Sequence, residues 1–351
     1  MNARRFARFA AALVVALSVT AAHAITIDWV TVGDPGNTAD TTGNPNPAGA
    51  VAASFRIMKY EFTNQQYVDF LNTVDPNGTN PNSIYNTDMN DDDRGGISFT
   101  SGNSAGAKYA SRTDMASKPV NFVSWFDAAR VSNWLMNGAT SSSSTETGAY
   151  TLSGATSGTA PAVNPGATFY IPTEDQWYKA AYYKGGSTSA DYWDYATQDD
   201  TAPTKVTADG TGNGSAGSTG NFANYDLGAS WNGPFGNVTT VGTNGGASAY
   251  GAFDMSGNVS EWNDLTGAAG SSRGQRGGDW GGGAGGLSSS SSFSLGPSSE
   301  NIFFGFRLAS PVSGPSGVPE IDPATGSSAL SLVAGVLAMV EQRRRRAKLV
   351  A

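Results

Sequence analysis

Tyr250-Gly251-Ala252-Phe253-Asp254-Met255-Ser256-Gly257-Asn258-Val259-Ser260-Glu261-Trp262 is the most informative stretch of the chain. A tight glycine turn at Ser256-Gly257-Asn258 separates two carboxylates, Asp254 and Glu261. Taken alone, the pattern reads as a turn whose acids join a hydrogen-bond network at the turn and a helix end. Arg276-Gly277-Gly278-Asp279-Trp280 and Gly305-Phe306-Arg307 follow it. Their arginines suit bidentate pairing with buried carboxylates or contacts to carbonyls.

Upstream, three segments begin alike: Thr63-Asn64-Gln65-Gln66, Ser124-Trp125-Phe126-Asp127 and Thr173-Glu174-Asp175-Gln176. Each puts a hydroxyl at the N-cap and an acid or amide at N3, the signature of a capping box. The first continues with Tyr67, Phe70, Leu71 and Val74 at helical spacing. The second stops at Asn137-Gly138 and the third at Gly185-Gly186. Short strands are expected around Ser54–Phe62, Thr168–Ile171 and Phe303–Leu308. Long Gly/Ser/Thr-rich loops cover Ala139–Thr159, Ala208–Gly220 and Gly281–Ser292. Loops of that length are functional, metal-pinned or mobile. The reading is one α+β domain, Ile25–Gly317, irregular and low in regular structure.

The whole chain has 351 residues, with 45 glycines, 8 Trp, 13 Tyr and 16 Phe. That is too aromatic for a disordered chain and too loop-rich for a helical bundle. Cysteine is absent and the only histidine is His23. Disulfides, thiol chemistry, Ser-His-Asp hydrolysis and His- or Cys-ligated zinc, iron or copper are thereby excluded from a chain that loses its leader.

Residues 1–24 read as such a leader. Arg4, Arg5 and Arg8 precede the apolar run Phe9–Val19, and Ala22-His23-Ala24 is a small-x-small cleavage site. At the other end, residues 318–351 hold Val318-Pro319-Glu320-Ile321-Asp322-Pro323, a short apolar run from Ala329 to Val340, and Arg343 to Arg346. The run is short for a membrane span, and the arginines suit a cytoplasmic face. This tail resembles a PEP-CTERM sorting signal read by an exosortase. It implies export, transient membrane tethering, and release to a bacterial surface or extracellular matrix. Of 21 basic and 29 acidic residues, three arginines fall in the leader, and five basic and three acidic residues in the tail, leaving 13 and 26 between. A middle of net charge −13 disfavours nucleic acid and anionic lipid and suits divalent cations.

Six blocks in order resemble the formylglycine-generating enzyme (sulfatase-modifying factor) family. They are Tyr60-Glu61-Phe62-Thr63-Asn64-Gln65-Gln66-Tyr67, Pro119-Val120-Asn121-Phe122-Val123-Ser124-Trp125-Phe126-Asp127-Ala128, Ile171-Pro172-Thr173-Glu174-Asp175-Gln176-Trp177, the Tyr250–Trp262 stretch, and the two arginine blocks at 276–280 and 305–307. The resemblance implies an irregular fold related to C-type lectins. It also implies a cysteine pair that binds copper, placed shortly after the Arg276 block. Here that place reads Gly281-Gly282-Gly283-Ala284-Gly285-Gly286 and then serines, and Ser260 stands where the family has Trp. No copper or iron site, and so no family catalysis, is expected.

What the resemblance leaves is structural calcium. Asp254, Gly257, Val259 and Glu261 match one family site as carboxylate, two carbonyls and carboxylate, hard oxygens of the kind calcium takes. Asn224 and Tyr225 match half of a second, whose other half falls near residues 233–235 and lacks its Asp. Asp91-Asp92-Asp93 reads as a solvated loop, and Glu61 and Glu174 as structural acids rather than an acid–base pair. The expected function is an exported, non-catalytic, calcium-stabilised binding or scaffold protein of the surface or matrix, with glycans or matrix proteins as partners. Trp193, Tyr192, Tyr195 and Trp231 are its sugar-stacking candidates or core residues. The alternatives are an enzyme with cysteine-independent metal chemistry and a chaperone-like subunit of another exported protein.

Overall fold

A computed structural model describes residues 25–233 and 235–312. The leader and the sorting tail lie outside the described residues.

In chain order the elements are β1 (Trp29–Val32), β2 (Phe55–Met58), α1 (Asn64–Val74), α2 (Asp88–Asp91), β3 (Ile97–Phe99), β4 (Tyr109–Ser111), α3 (Trp125–Met136), α4 (Glu174–Tyr182), β5 (Thr204–Lys205), β6 (Phe222–Ala223), β7 (Ser260–Asn263), β8 (Arg273–Arg276), β9 (Phe293–Leu295), β10 (Phe304–Gly305) and β11 (Ala309–Pro311). One sheet runs β1-β2-β11, all antiparallel. A second runs β10-β7-β8-β9, with β10 parallel to β7. Two-stranded pairs β3-β4 and β5-β6 complete the set. The fold is an irregular, loop-rich α+β domain, as the sequence implies.

All three capping boxes form. Thr63, Ser124 and Thr173 accept from the N3 backbone, and Gln66, Asp127 and Gln176 reach back to the N-cap N–H. Each cap contributes about 1 kcal/mol and fixes where its helix enters the core. The helix α4 ends at Tyr182, earlier than the Gly185-Gly186 pair, because Tyr183 turns extended and bridges Tyr192.

Two strand expectations are corrected. Thr168–Ile171 forms no strand; Tyr170 makes a single bridge to Ala309. Phe303–Leu308 is broken after Gly305, since the carbonyls of Phe306 and Leu308 accept from Phe62 and Met58 instead of continuing the ladder. That break points Arg307 inward.

The larger core packs α1 and α3 around Tyr67, Phe70, Trp125 and Trp134, and adds Trp262 and Phe306 from the second half of the chain. A smaller core packs Trp177, Tyr178 and Tyr182 of α4 against Val32, Phe55 and Ile57 of the first sheet. Burying each large aromatic contributes gross stabilisation of roughly 4–6 kcal/mol.

The long loops are pinned by amides and acids. Asn133 and Asn137 donate to the carbonyls of Thr145, Tyr150, Ser144 and Thr147. Asp209 accepts from Thr211 and Asn213. This gives the high Asn and Thr content of the loops a physical role: it satisfies backbone that no sheet pairs.

Candidate functional site

Among the described residues four arginines are fully buried: Arg130, Arg273, Arg276 and Arg307. Each is paired with one carboxylate, Glu146, Asp264, Glu174 and Glu261 respectively. The expectation that Arg276 and Arg307 brace carboxylates holds. Arg276 also lies over the Tyr178 ring at 4.8 Å and donates to the Ser289 and Ser291 carbonyls.

The Tyr250–Trp262 stretch forms the centre of a buried network around the Arg307–Glu261 pair. Asp254, Gly257 and Asn258 all adopt positive φ, at 57°, 93° and 67°. At Gly257 a side chain would collide with the Asn224 carbonyl, so the turn requires glycine there. Glu261, on β7, accepts from Arg307 Nε at Oε2 and Nη2 at Oε1, both at 2.6 Å, and from Trp177 Nε1 at 2.7 Å. Asp254 accepts from Gly242 N at 2.6 Å and Asn244 Nδ2 at 2.8 Å.

Two residues that sequence reasoning did not single out as ligands tie these parts together. Asn258 donates to Glu61 Oε2 at 2.7 Å, and its Oδ1 accepts from Thr239 N and Asn224 Nδ2. Glu61 also accepts from Val259 N at 3.1 Å. Three carboxylates thus share one buried guanidinium. Burial pushes Glu61 well above the ordinary carboxylate range, and the charges of Asp254 and Glu261 push it further. Burial likewise raises Asp254, against the donors Gly242 and Asn244. The Gly257-Asn258 pair signals a turn in the sequence, but nothing local signals that the Asn258 amide faces Glu61.

Asn224 sits beside this centre, wholly buried. Its carbonyl accepts from Asn258 N, and its Nδ2 donates to Asn237 O, Thr239 Oγ1 and Asn258 Oδ1. Its Oδ1 has no hydrogen-bond partner among the described residues. Tyr225 presents a carbonyl that accepts from Gly228 N, while its hydroxyl donates to Pro203 O at 2.6 Å. The segment facing Asn224 is Asn237–Thr239, a few residues beyond the expected 233–235.

Just before Gly281–Gly286, where the resemblance places a cysteine pair, Asp279 accepts from Gly281 N, Gly282 N and Ser260 Oγ. Burial pushes this carboxyl up. A 3-10 turn, Ala284–Leu287, follows, and buries Leu287 against Ala223 and Tyr225. The chemistry available there is hydroxyl, carboxyl and amide.

The remaining candidates separate. Asp91 and Asp93 are exposed and Asp92 accepts from the Arg94 N–H, so the acidic run is solvated as expected, but it is not all loop: Asp91 closes α2 and Asp92 is its C-cap. Trp231 is core, donating to Val238 O, whereas Trp193 is half-buried under the Lys184 ammonium at 4.2 Å. The Tyr192 hydroxyl donates to Thr38 O.

With the geometry in place, comparison with known proteins defines the class. The sulfatase-modifying factor enzyme 1-like domain matches residues 21–312, and the chain belongs to that family. The VPEID-CTERM protein sorting domain matches residues 318–348, which specifies the tail more closely than the PEP-CTERM resemblance does. The tail marks the chain for processing by an exosortase-type sorting machinery, export, and a surface or extracellular location in bacteria. Solved structures similar to this one include CarF, at 20% identity and TM-score 0.49 over 82% of this chain and 99% of that one. Treponema denticola variable protein 1 follows at 18% identity and TM-score 0.41, covering 81% and 94%. PvdO from Pseudomonas aeruginosa aligns at 17% and 0.39, covering 82% and 92%. No curated protein matches the sequence significantly.

The calcium that the family resemblance implies meets two different environments. In the Tyr250–Trp262 turn every carboxylate oxygen already accepts an N–H, so a cation there would compete with Arg307 for Glu261 and share the Asp254 oxygens with Gly242 and Asn244. The orphaned Oδ1 of Asn224, beside the Tyr225 carbonyl, is a hard oxygen lacking a donor, and that fits.

Proposed function

We propose that this chain is an exported, non-catalytic member of its family that acts as a calcium-stabilised surface or matrix binding protein. The observation that carries the reading is the Asp279–Leu287 segment. By the resemblance, the family's cysteine pair falls at Gly281–Gly286, and this segment brackets that place with a backbone-capped Asp279 carboxylate and a buried Leu287. Redox activation of oxygen by a soft metal needs thiolate or imidazole ligands, and residues 25–351 contain neither. Rigid arginine–carboxylate pairs and amide-pinned loops suit a scaffold that presents loops. Calcium would be held through Asn224 Oδ1 and the Tyr225 carbonyl, with its remaining ligands supplied by nearby oxygens or water.

The test is to incubate pure exported protein with a cysteine-containing sulfatase peptide and, separately, with matrix from the producing culture. Matrix binding without formylglycine formation supports the reading. Formylglycine formation, or any metal-dependent turnover lost in Asp279→Ala with the fold intact, establishes instead an enzyme with cysteine-independent chemistry.

A further inference from the structure

A solvent-open cleft of about 220 Å³ is lined by Asp114, Ala116, Ser117, Lys118, Thr211, Asn213 and Thr240, and shares none of its lining residues with the buried carboxylate network. That volume equals roughly seven waters, the scale of one sugar ring rather than a drug-sized apolar ligand. Its polar lining groups are carboxylate, hydroxyl, amide and ammonium, beside the Ala116 methyl and the carbon stems of the same side chains.

The walls are fixed before any ligand arrives. Lys118 is buried, and its Nζ donates to the carbonyls of Asp114 and Thr211 and to Thr240 Oγ1. It lies 4.4 Å from the centre of the Trp231 ring. Thr240 Oγ1 donates to Asn213 Oδ1, and Asp209 holds the Thr211–Asn213 turn from below. Gly212, at φ +76°, lets that turn lie flat on Trp231 and Lys118.

Two side chains are left over. The Asp114 carboxylate and the Ser117 hydroxyl are exposed and make no hydrogen bond among the described residues. Asp114 stands at φ +61°, a left-handed conformation that places strain at the cleft. The free groups are thus one acceptor carboxylate and one hydroxyl of either polarity.

This selects the ligand. Three acceptors already take the three N–H bonds of Lys118, so it offers no free donor to a phosphate or sulfate. The exposed carboxylate and the acidic domain repel polyanions. Adjacent hydroxyls of a neutral sugar complement a carboxylate acceptor beside a serine hydroxyl. We propose that this cleft binds one ring of a neutral polysaccharide, with the Asp114 carboxylate accepting from ring hydroxyls and Ser117 bonding a neighbouring one. The inference rests on the matrix-binding reading and names its site.

The experiment is affinity electrophoresis of the exported chain through dextran, galactan and glucomannan, with alginate as the anionic probe and native matrix as a separate arm. Retardation by at least one neutral polysaccharide is expected. The apparent affinity should fall at least tenfold in Asp114→Ala and in Ser117→Ala, and stay unchanged in Asp191→Ala, an exposed carboxylate outside the cleft lining. Both cleft variants are surface changes, and a melting curve equal to wild type confirms their fold. Retention by alginate alone, no retention by any neutral polysaccharide, or unaltered retention of Asp114→Ala overturns the proposal. If native matrix is bound while the neutral polysaccharides are not, the cleft assignment fails and the matrix reading stands. If a neutral polysaccharide is bound through Asp114 while native matrix is not, the reverse holds.

Discussion

Arg307 grips Glu261 through two parallel hydrogen bonds of 2.6 Å, and neither side chain is exposed. The pair joins the closing Gly305-Phe306-Arg307 block to the Tyr250–Trp262 stretch, and Arg307 also donates to the carbonyls of Met58 and Phe253. One guanidinium therefore knots three separate parts of the chain.

Removing the cation alone should be the costlier change. Arg307→Met leaves Glu261, Asp254 and Glu61 buried without a counter-charge, and a loss of about 3–5 kcal/mol is expected. Glu261→Gln keeps an acceptor and should cost less. The double variant Arg307→Met/Glu261→Leu should recover part of the loss. Denaturant midpoints of the three variants check the order; equal losses would mean that the pair acts only through packing.

Asn224 gives the calcium prediction. Saturating calcium at about a hundredfold over Kd should stabilise the exported protein by about 2.7 kcal/mol, and a chelator should reverse this. In Asn224→Ala the calcium-dependent shift in melting temperature should vanish, whereas in Asp254→Asn it should persist, because the Asp254 oxygens serve Gly242 and Asn244. Loss of the shift in Asp254→Asn with retention in Asn224→Ala would return the ion to the Tyr250–Trp262 turn.

The helix starts were legible because they are local. A hydroxyl and its N3 partner are three residues apart, and no distant contact overrides them. Thr173→Ala should accordingly cost about 1 kcal/mol, since it deprives the Gln176 N–H of its acceptor at the entry to α4. A change below about 0.3 kcal/mol in the urea midpoint would show that core packing alone sets the start of α4.

Asn258 was not legible for the opposite reason. Its amide meets Glu61 across 197 residues of sequence, and nothing near either residue announces the other. The strand expected at Thr168–Ile171 fails similarly: its apolar residues fill the core, while its backbone finds one bridge in place of a ladder. Arginine partners were foreseen as a type, a buried carboxylate, but which carboxylate each takes is a property of the fold.

The pH dependence follows from acids whose folded values are raised. Glu300 stands at about 7, raised by burial and then by the charge of Asp127; Asp127 stands at about 6, raised by burial against the Ser124 donors. The folded state holds their protons more tightly than the unfolded chain, in which they titrate near 4.5 and 3.8. Stability from these two groups is thus full below about pH 4 and falls as pH rises through 6 and 7. Glu300→Gln mimics the protonated form and can still accept from Asn86. It should match wild type at pH 4 and exceed it by roughly 1 kcal/mol at pH 8, after allowance for solvent screening of this half-buried group. Urea midpoints across pH 4–8 test this. A parallel offset between variant and wild type at every pH would mean that Glu300 does not titrate in that window.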